Sequence, residues 1–306
     1  MKAALFLGSA ALLAGALAGM VPSSWWWFDL AASLRMQTLL GALALLVVSL
    51  VVRAKLALVP IAISLVLTVP SVSALIVADR PGSPASGSRL TVGHLNQQAG
   101  VVDLERVASE ARRRDADVFV FVDFPAADRS GLPTHLAGYE VVLPTRARSV
   151  VVLTRLPVIA AIDPYEQALP GASVSFVVEL ADGTHVSLLA LHTESPTRAA
   201  SAATRNEQLQ AVGTWAAGRE GPVAVFGDLN VTPWAVEYRR LLDRSGLRSS
   251  LRGFGLQPSW PVRAGPLGIT IDHLLHSPDL VTVDRATGPS FGSDHRSLWV
   301  TLAPAG

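Results

Sequence analysis

Between Met1 and Ala78 only five side chains carry charge: Lys2, Asp29, Arg35, Arg53 and Lys55. A stretch this apolar has no polar face to offer water, so it must be buried in protein or in lipid. It divides into Ala3–Val21, roughly Met36–Val52, and Leu56–Ala78. Each is about long enough to cross a hydrocarbon core, which predicts three transmembrane helices. Trp25-Trp26-Trp27-Phe28 lies between the first two, where aromatic rings sit at the membrane interface. Pro60 and Pro70 interrupt the third, which transmembrane helices tolerate. No acidic residue lies within the three cores, so they read as an anchor rather than as an ion pathway.

Lys2 precedes the first segment, and Arg53 and Lys55 lie between the second and third. The positive-inside rule puts both of those ends in the cytoplasm. The expected localisation is therefore the cell membrane, multi-pass, with everything after Ala78 extracytoplasmic. The alternative is a signal peptide cleaved near Ala16-Leu17-Ala18, which leaves the later residues on the same side. The chain has no cysteine, which excludes disulfides, thiolate metal sites and cysteine nucleophiles.

Residues 79–88 (DRPGSPASGS) read as a flexible linker between the 1–78 anchor and a domain at 89–306. From Arg89 onward, short apolar runs alternate with helix-like segments. Strands are expected at 90–95, 118–122, 139–143, 149–154, 174–180, 185–191, 223–226, 270–275 and 297–302. Helices are expected at 102–114, 198–217 and 232–245, the last with Thr232 as N-cap and Pro233 in the first turn. The pattern implies an α/β domain of two packed sheets with helices outside.

Polar groups gather where these strands end. Val223-Ala-Val-Phe226 runs into Gly227-Asp-Leu-Asn230, whose aspartate and asparagine are two positions apart and share one face of the pleat. Ile271-Asp272-His273 and Gly292-Ser-Asp294-His295 repeat the theme, as do Asn96, Asp123 and His192. Buried carboxylates converge at a cost unless something cationic sits between them. Phosphoester cleavage needs charge neutralised on phosphate oxygens, an in-line water and a stabilised leaving group, and these residue types can supply all three.

As a set, these motifs over about residues 89–303 resemble the endonuclease/exonuclease/phosphatase (DNase I-like) superfamily. The resemblance implies a four-layer α-β-β-α sandwich and a Mg²⁺-dependent phosphoric ester hydrolase, with Mn²⁺ as the alternative ion. It implies metal ligation by Asn96, Asp123 and Asp294, and catalytic roles for Asp228, Asn230, His192, Asp272 and His295. In particular, Asp228 would orient or deprotonate the attacking water and Asn230 would support the transition state. Arg205 is added as a substrate-binding candidate. Two positions depart from the pattern. Asp123, preceded by Val122, stands where the family has glutamate after glutamine, and Gln98 stands where some nuclease members have aspartate.

The plan of apolar spans followed by Gly227-Asp-Leu-Asn-Val-Thr-Pro-Trp234, Ser259-Trp-Pro261 and the two Asp-His pairs is similar to the VanJ-type bacterial membrane proteins linked with teicoplanin resistance. That similarity implies a cell-envelope role on a lipid-linked phosphate such as a polyprenyl diphosphate. A nuclease remains the second reading and a non-catalytic scaffold the third. From Arg89 onward there are 20 arginines, no lysine and 22 acidic residues, a net charge of −2 with histidine neutral, which does not favour nucleic acid. No protein partner follows from the sequence.

Overall fold

The computed structural model describes residues 1–77, 84, 87–98, 102–125, 132–142, 149–162, 169 and 172–306. Two six-stranded sheets form the body of the domain. The first contains β1 (Leu90–Asn96), β2 (Val118–Val122), β3 (Glu140–Val142), β4 (Val151–Thr154), β11 (Leu280–Thr287) and β12 (Leu298–Pro304), in the order β11-β12-β1-β2-β4-β3. The second contains β5 (Val158–Ile162), β6 (Ser173–Glu179), β7 (His185–His192), β8 (Val223–Asp228), β9 (Arg248–Ser249) and β10 (Asp272–His276), in the order β5-β6-β7-β8-β10-β9.

Valine, leucine and phenylalanine at alternate positions of the central strands pack between the sheets. Val92, Val120, Phe176, Leu188, Phe226, Leu274 and Val300 belong to this inner core. The opposite faces are covered by helices. Phe119, Phe121 and Trp299 pack with Val107 and Ala111 of α5 (Leu104–Arg113), and with Leu132 of the short α6 (Leu132–His135). Leu189, Leu191 and Val225 pack with Leu209, Val212 and Trp215 of α7 (Ala199–Ala217), and with Tyr238 and Leu241 of α8 (Val236–Ser245). The layers are therefore α-β-β-α.

Among the described residues two strand pairs are parallel, β1 with β2 and β7 with β8, each joined through a crossover helix as parallel pairing demands. Their C-terminal ends lie at one edge of the sandwich. β10 runs antiparallel to β8, and β12 antiparallel to β1, so their N-terminal ends arrive at the same edge. This topology gathers sequence-distant strand ends into one place.

Edge strands β5, β9 and β11 were not evident from periodicity. β9 has two residues, while β5 and β11 pair with register shifts at Val158/Ala160 and Thr282/Asp284 that break the alternation. α8 starts at Val236 rather than at Thr232. The Ala235 amide closes a turn on the Thr232 carbonyl, and the Trp234 ring N–H donates to the Ser71 carbonyl, 3.1 Å away in the N-terminal third.

Gly227 sits at φ +144, and a Cβ there would lie 1.8 Å from the Leu191 carbonyl oxygen of the neighbouring strand. No side-chain rotation relieves a clash with backbone. Gly227→Ala is expected to destabilise the domain by more than about 4 kcal/mol, or to prevent its folding, as read from the denaturant midpoint.

The N-terminal third consists of α1 (Lys2–Ala18), α2 (Trp26–Ser33), α3 (Arg35–Val51) and α4 (Leu58–Ile76). α1, α3 and α4 pack together around Ala42, Ala54, Ala57 and Ile61. The expectation of three transmembrane helices is not supported. Among the described residues only Lys55–Ile76 is long and apolar enough by itself. A second candidate arises if α2 and α3, bent by 56° at their junction, count as one span. α1 has 17 residues, which at about 1.5 Å per residue falls short of the roughly 30 Å hydrocarbon core. Of the linker, only Pro84, Gly87 and Ser88 are described; Pro84 bridges to Ala305, and flexibility of the remainder concerns residues outside the described set.

Candidate active site

The gathered strand ends enclose a cavity of about 410 Å³. Asn96 from β1, Asp123 just beyond β2, His192 from β7, Asp228 and Asn230 from the end of β8, and Asp294 and His295 before β12 all line it. Asp272, the first residue of β10, stands directly behind, bonded to His295. Eight of the nine candidates thus meet in one place. Arg205 does not: it is fully buried and spends its guanidinium on Asp29, Asn206 and the Asn230 carbonyl. Each of its three nitrogens already donates within the protein and the side chain is buried away from the cavity lining, so Arg205 holds structure instead.

Asp228 is 1% exposed. Its Oδ2 accepts from Asn96 Nδ2 at 2.8 Å and its Oδ1 from the Asn230 amide at 2.9 Å, and each oxygen retains a lone pair. His192 Nε2 and His295 Nε2 stand 3.7 and 3.8 Å from Oδ2, too far to hydrogen-bond with it directly. Two imidazoles therefore flank one carboxylate across a gap. Burial raises the proton affinity of Asp228, and the neighbouring Asp272 charge raises it further against the opposing pull of His295 and His192. Such a carboxylate is a better base than a solvated one.

Asp272 has the opposite environment. His295 Nδ1 lies 2.9 Å from its Oδ2 and His94 Nε2 lies 2.8 Å from its Oδ1. Burial alone would raise its pKa, but the two imidazoles outweigh that and hold it well below the usual carboxylate range. The effect on His295 is reciprocal. Burial would depress its pKa, yet Asp272, assisted by Asp228 and Asp294, raises it to about 9. His295 is thus an imidazolium at neutral pH, with Nε2 turned toward the cavity. That cation can donate to a phosphoryl oxygen as negative charge develops there.

Several supporting residues were not legible as functional. His94 precedes Asn96 by two positions on β1, so both face the inner side of the sheet where Asp272 lies. That spacing was the available signal. Ser259 Oγ accepts from the Ile271 and Asp272 amides, both at 3.2 Å, and Trp260 Nε1 donates to Asp294 Oδ2 at 2.8 Å. Ser293 Oγ donates to the Asn96 carbonyl at 2.6 Å and accepts from the His295 amide at 2.9 Å, tying β1 to the segment before β12. His273, beside Asp272 in sequence, faces the other way: its Nε2 lies 2.8 Å from the Val231 carbonyl oxygen, and burial lowers its pKa to about 4.

Asp228, Asp272 and His295 form the one His/Asp/Glu group among the described residues whose ligand atoms lie within 4.8 Å of one another. Both oxygens of Asp272 are already engaged by histidines, so this group makes a poor closed cage. Free oxygens lie elsewhere on the cavity wall. Asp294 Oδ1 is buried without a hydrogen-bond partner, and Asp123 makes no side-chain hydrogen bond among the described residues. Asn96 Oδ1 accepts only from the Gln98 amide, at 2.8 Å. An all-oxygen set with room for waters suits Mg²⁺ or Mn²⁺. Asp123, Asp294 and Asn96 would hold such an ion, which when bound neutralises charge on non-bridging phosphate oxygens.

Comparison with known proteins identifies the family and the fold. The model of the Endonuclease/Exonuclease/phosphatase family matches residues 93–295, and the chain belongs to that family. A search of curated proteins finds no match. Among solved structures, an endonuclease/exonuclease/phosphatase from Beutenbergia cavernae is similar with a TM-score of 0.56 at 20% identity, covering 72% of each chain. TDP2 of D. rerio, complexed with a single-strand DNA product, has a TM-score of 0.56 at 15% identity, over 70% of this chain and 98% of that one. A mannosyl-6-phosphatase of Bacteroides thetaiotaomicron has a TM-score of 0.54 at 16% identity, over 70% and 99%. At these identities the likeness is one of fold, shared by a nucleic-acid enzyme and a sugar phosphatase alike.

Proposed function

We propose that the protein is a membrane-anchored, Mg²⁺-dependent phosphoesterase that hydrolyses a phosphate ester or anhydride of a lipid-linked substrate at the outer face of the membrane. One observation carries this reading. Asp29, Leu30 and Ser33 of α2 line the catalytic cavity together with the strand-end residues. The same helix continues, through a bend, into the apolar α3. A ligand entering the cavity therefore meets the base of the N-terminal bundle. Ile269, Ile271 and Val231 extend an apolar lining beside the acids, as an amphiphile requires.

The outward faces of that bundle support burial in lipid: Val47, Val66 and Leu56 are 61%, 72% and 78% exposed. Lys2, Arg53 and Lys55 share a pocket at one end of the bundle, and the positive-inside rule favours a cytoplasmic side for that end. Similarity of the motif plan to VanJ-type proteins favours a cell-envelope substrate such as a polyprenyl diphosphate.

In this reading Asp228 takes the proton of an attacking water, His295 and His192 donate to phosphoryl oxygens, and the Asn230 side chain supports the developing charge. The test is phosphate release by the full chain in detergent, from undecaprenyl diphosphate and from supercoiled plasmid in parallel, with Mg²⁺ and with EDTA. Release from the lipid in Mg²⁺, lost in EDTA, is the expected result. Nicking of plasmid without lipid turnover would establish the nuclease reading instead, and turnover unaffected by EDTA would remove the metal.

A further inference from the structure

Asp29 is the sole acidic residue before position 79, and it is 4% exposed. α2 turns Asp29 and Ala32 inward, while Trp25 and Trp27 at its start are more than half exposed. Asp29 Oδ2 accepts from Arg205 Nη2 at 2.6 Å, between two side chains that are 4% and 1% exposed. Arg205 Nη1 donates to the Asn230 carbonyl, and its Nε donates to Asn206 Oδ1 at 2.8 Å. A membrane-side carboxylate is thereby joined through one guanidinium to the backbone of a residue in the catalytic cavity.

Asn230 needs holding. It sits at φ +47, in the left-handed region that residues other than glycine seldom occupy, although asparagine tolerates it better than most. Its amide donates to Asp228 Oδ1, its side-chain nitrogen donates to the Thr193 carbonyl at 3.0 Å, and its own carbonyl is taken by Arg205. Those three bonds fix the loop and fix one oxygen of Asp228 with it. A buried guanidinium stripped of its carboxylate is strongly disfavoured, so Arg205 would leave this position if Asp29 were removed. Seating of α2 has a second contact of the same kind next to the loop, Ser33 Oγ to Thr232 Oγ1 at 3.3 Å.

We infer that Asp29 is a positioning residue for catalysis: through Arg205 it fixes the Asn230 turn, so the catalytic strand ends reach their working geometry only with α2 docked. The kinetic arm of the test rests on the proposed phosphoesterase reading; the exchange arm does not.

Full-chain protein in detergent would be compared with Asp29→Ala, Asp29→Asn and Gln37→Ala. Gln37→Ala removes a different contact to the domain, its 2.6 Å bond to the Leu267 carbonyl, and serves as the control. Amide hydrogen exchange over residues 228–232 is expected to quicken about tenfold in Asp29→Ala, by a smaller factor in Asp29→Asn, and not at all in Gln37→Ala. With p-nitrophenyl phosphate as a soluble probe, Asp29→Ala is expected to lower kcat by about 10²-fold with KM changed less than about twofold. In an Arg205→Ala background the same substitution should add less than about twofold, because the link from Asp29 to the Asn230 turn is gone. Wild-type exchange in both Asp29 variants would overturn the inference, as would a fully additive double variant. If Asp29→Ala fails to fold, exchange in Asp29→Asn alone decides. Faster exchange in a protein that hydrolyses neither this probe nor the lipid would sink the phosphoesterase reading and leave the positioning role standing.

Discussion

Asp228→Asn is expected to lower kcat for phosphate release about 10³-fold or more while leaving the melting temperature within a few degrees of wild type. The activity loss follows from position. Asp228 is the carboxylate that both cavity imidazoles face, and asparagine cannot accept a proton at neutral pH. Near-constant stability follows from its environment. Burial and the Asp272 charge both raise the Asp228 pKa, so the native state disfavours its ionised form. Its contribution to stability is greatest while it is protonated and declines as pH rises through its folded pKa. Neutralising it at pH 7 therefore removes a repulsion. Against that gain stands one mismatch, because the new amide nitrogen faces Asn96 Nδ2, which donates to Asp228 Oδ2 in the wild type. The two effects offset. Initial rates with Mg²⁺ and thermal melts of both proteins check the pair of expectations, and a large fall in melting temperature would refute the claim that the native state disfavours ionised Asp228.

Much of this site could be read from sequence because its chemistry sits on strand ends. Val223-Ala-Val-Phe226 and Val118–Val122 are continuous apolar runs, so the polar residue that terminates each is conspicuous, and the parallel pairs β1–β2 and β7–β8 bring those termini to one edge. The sandwich itself was legible for the same reason: alternation identified nine of its twelve strands, and the edge strands that escaped are short or bulged. What could not be read depends on pairing across long separations. His94 and Asp272 are 178 positions apart, and Arg205 and Asp29 are 176 apart. No local pattern announces either contact. Arg205 stands in the sequence as a substrate-binding candidate, and only burial against α2 reveals that its partner is a carboxylate of the protein. The apolar stretches overcount the spans because α1 and α3, at 17 residues each, are too short to qualify by themselves.

Asp272→Asn is expected to lose both activity and stability, and the contrast with Asp228 separates the roles of two carboxylates within one cluster. Each Asp272 oxygen accepts from an imidazole, and the carboxylate is held far below its ordinary pKa. A depressed carboxylate stabilises the fold above its unfolded pKa, near 3.9, and that contribution is lost only as pH falls through the folded value. At pH 7 the whole of it is present, so replacing the charge with an amide should cost on the order of 3 kcal/mol. One of the two histidines would also face an amide N–H instead of an acceptor. His295 would no longer be held as a cation, since Asp272 is the largest of the influences that raise its pKa to about 9. Loss of a preorganised donor to the phosphoryl group is worth about 10²- to 10³-fold in kcat. Denaturant melts and Mg²⁺-supported phosphate release measure the two losses separately. An Asp272→Asn protein as stable as wild type but inactive would make Asp272 a direct participant in the chemistry; one that is destabilised and slow marks it as the group that keeps His295 charged and aimed.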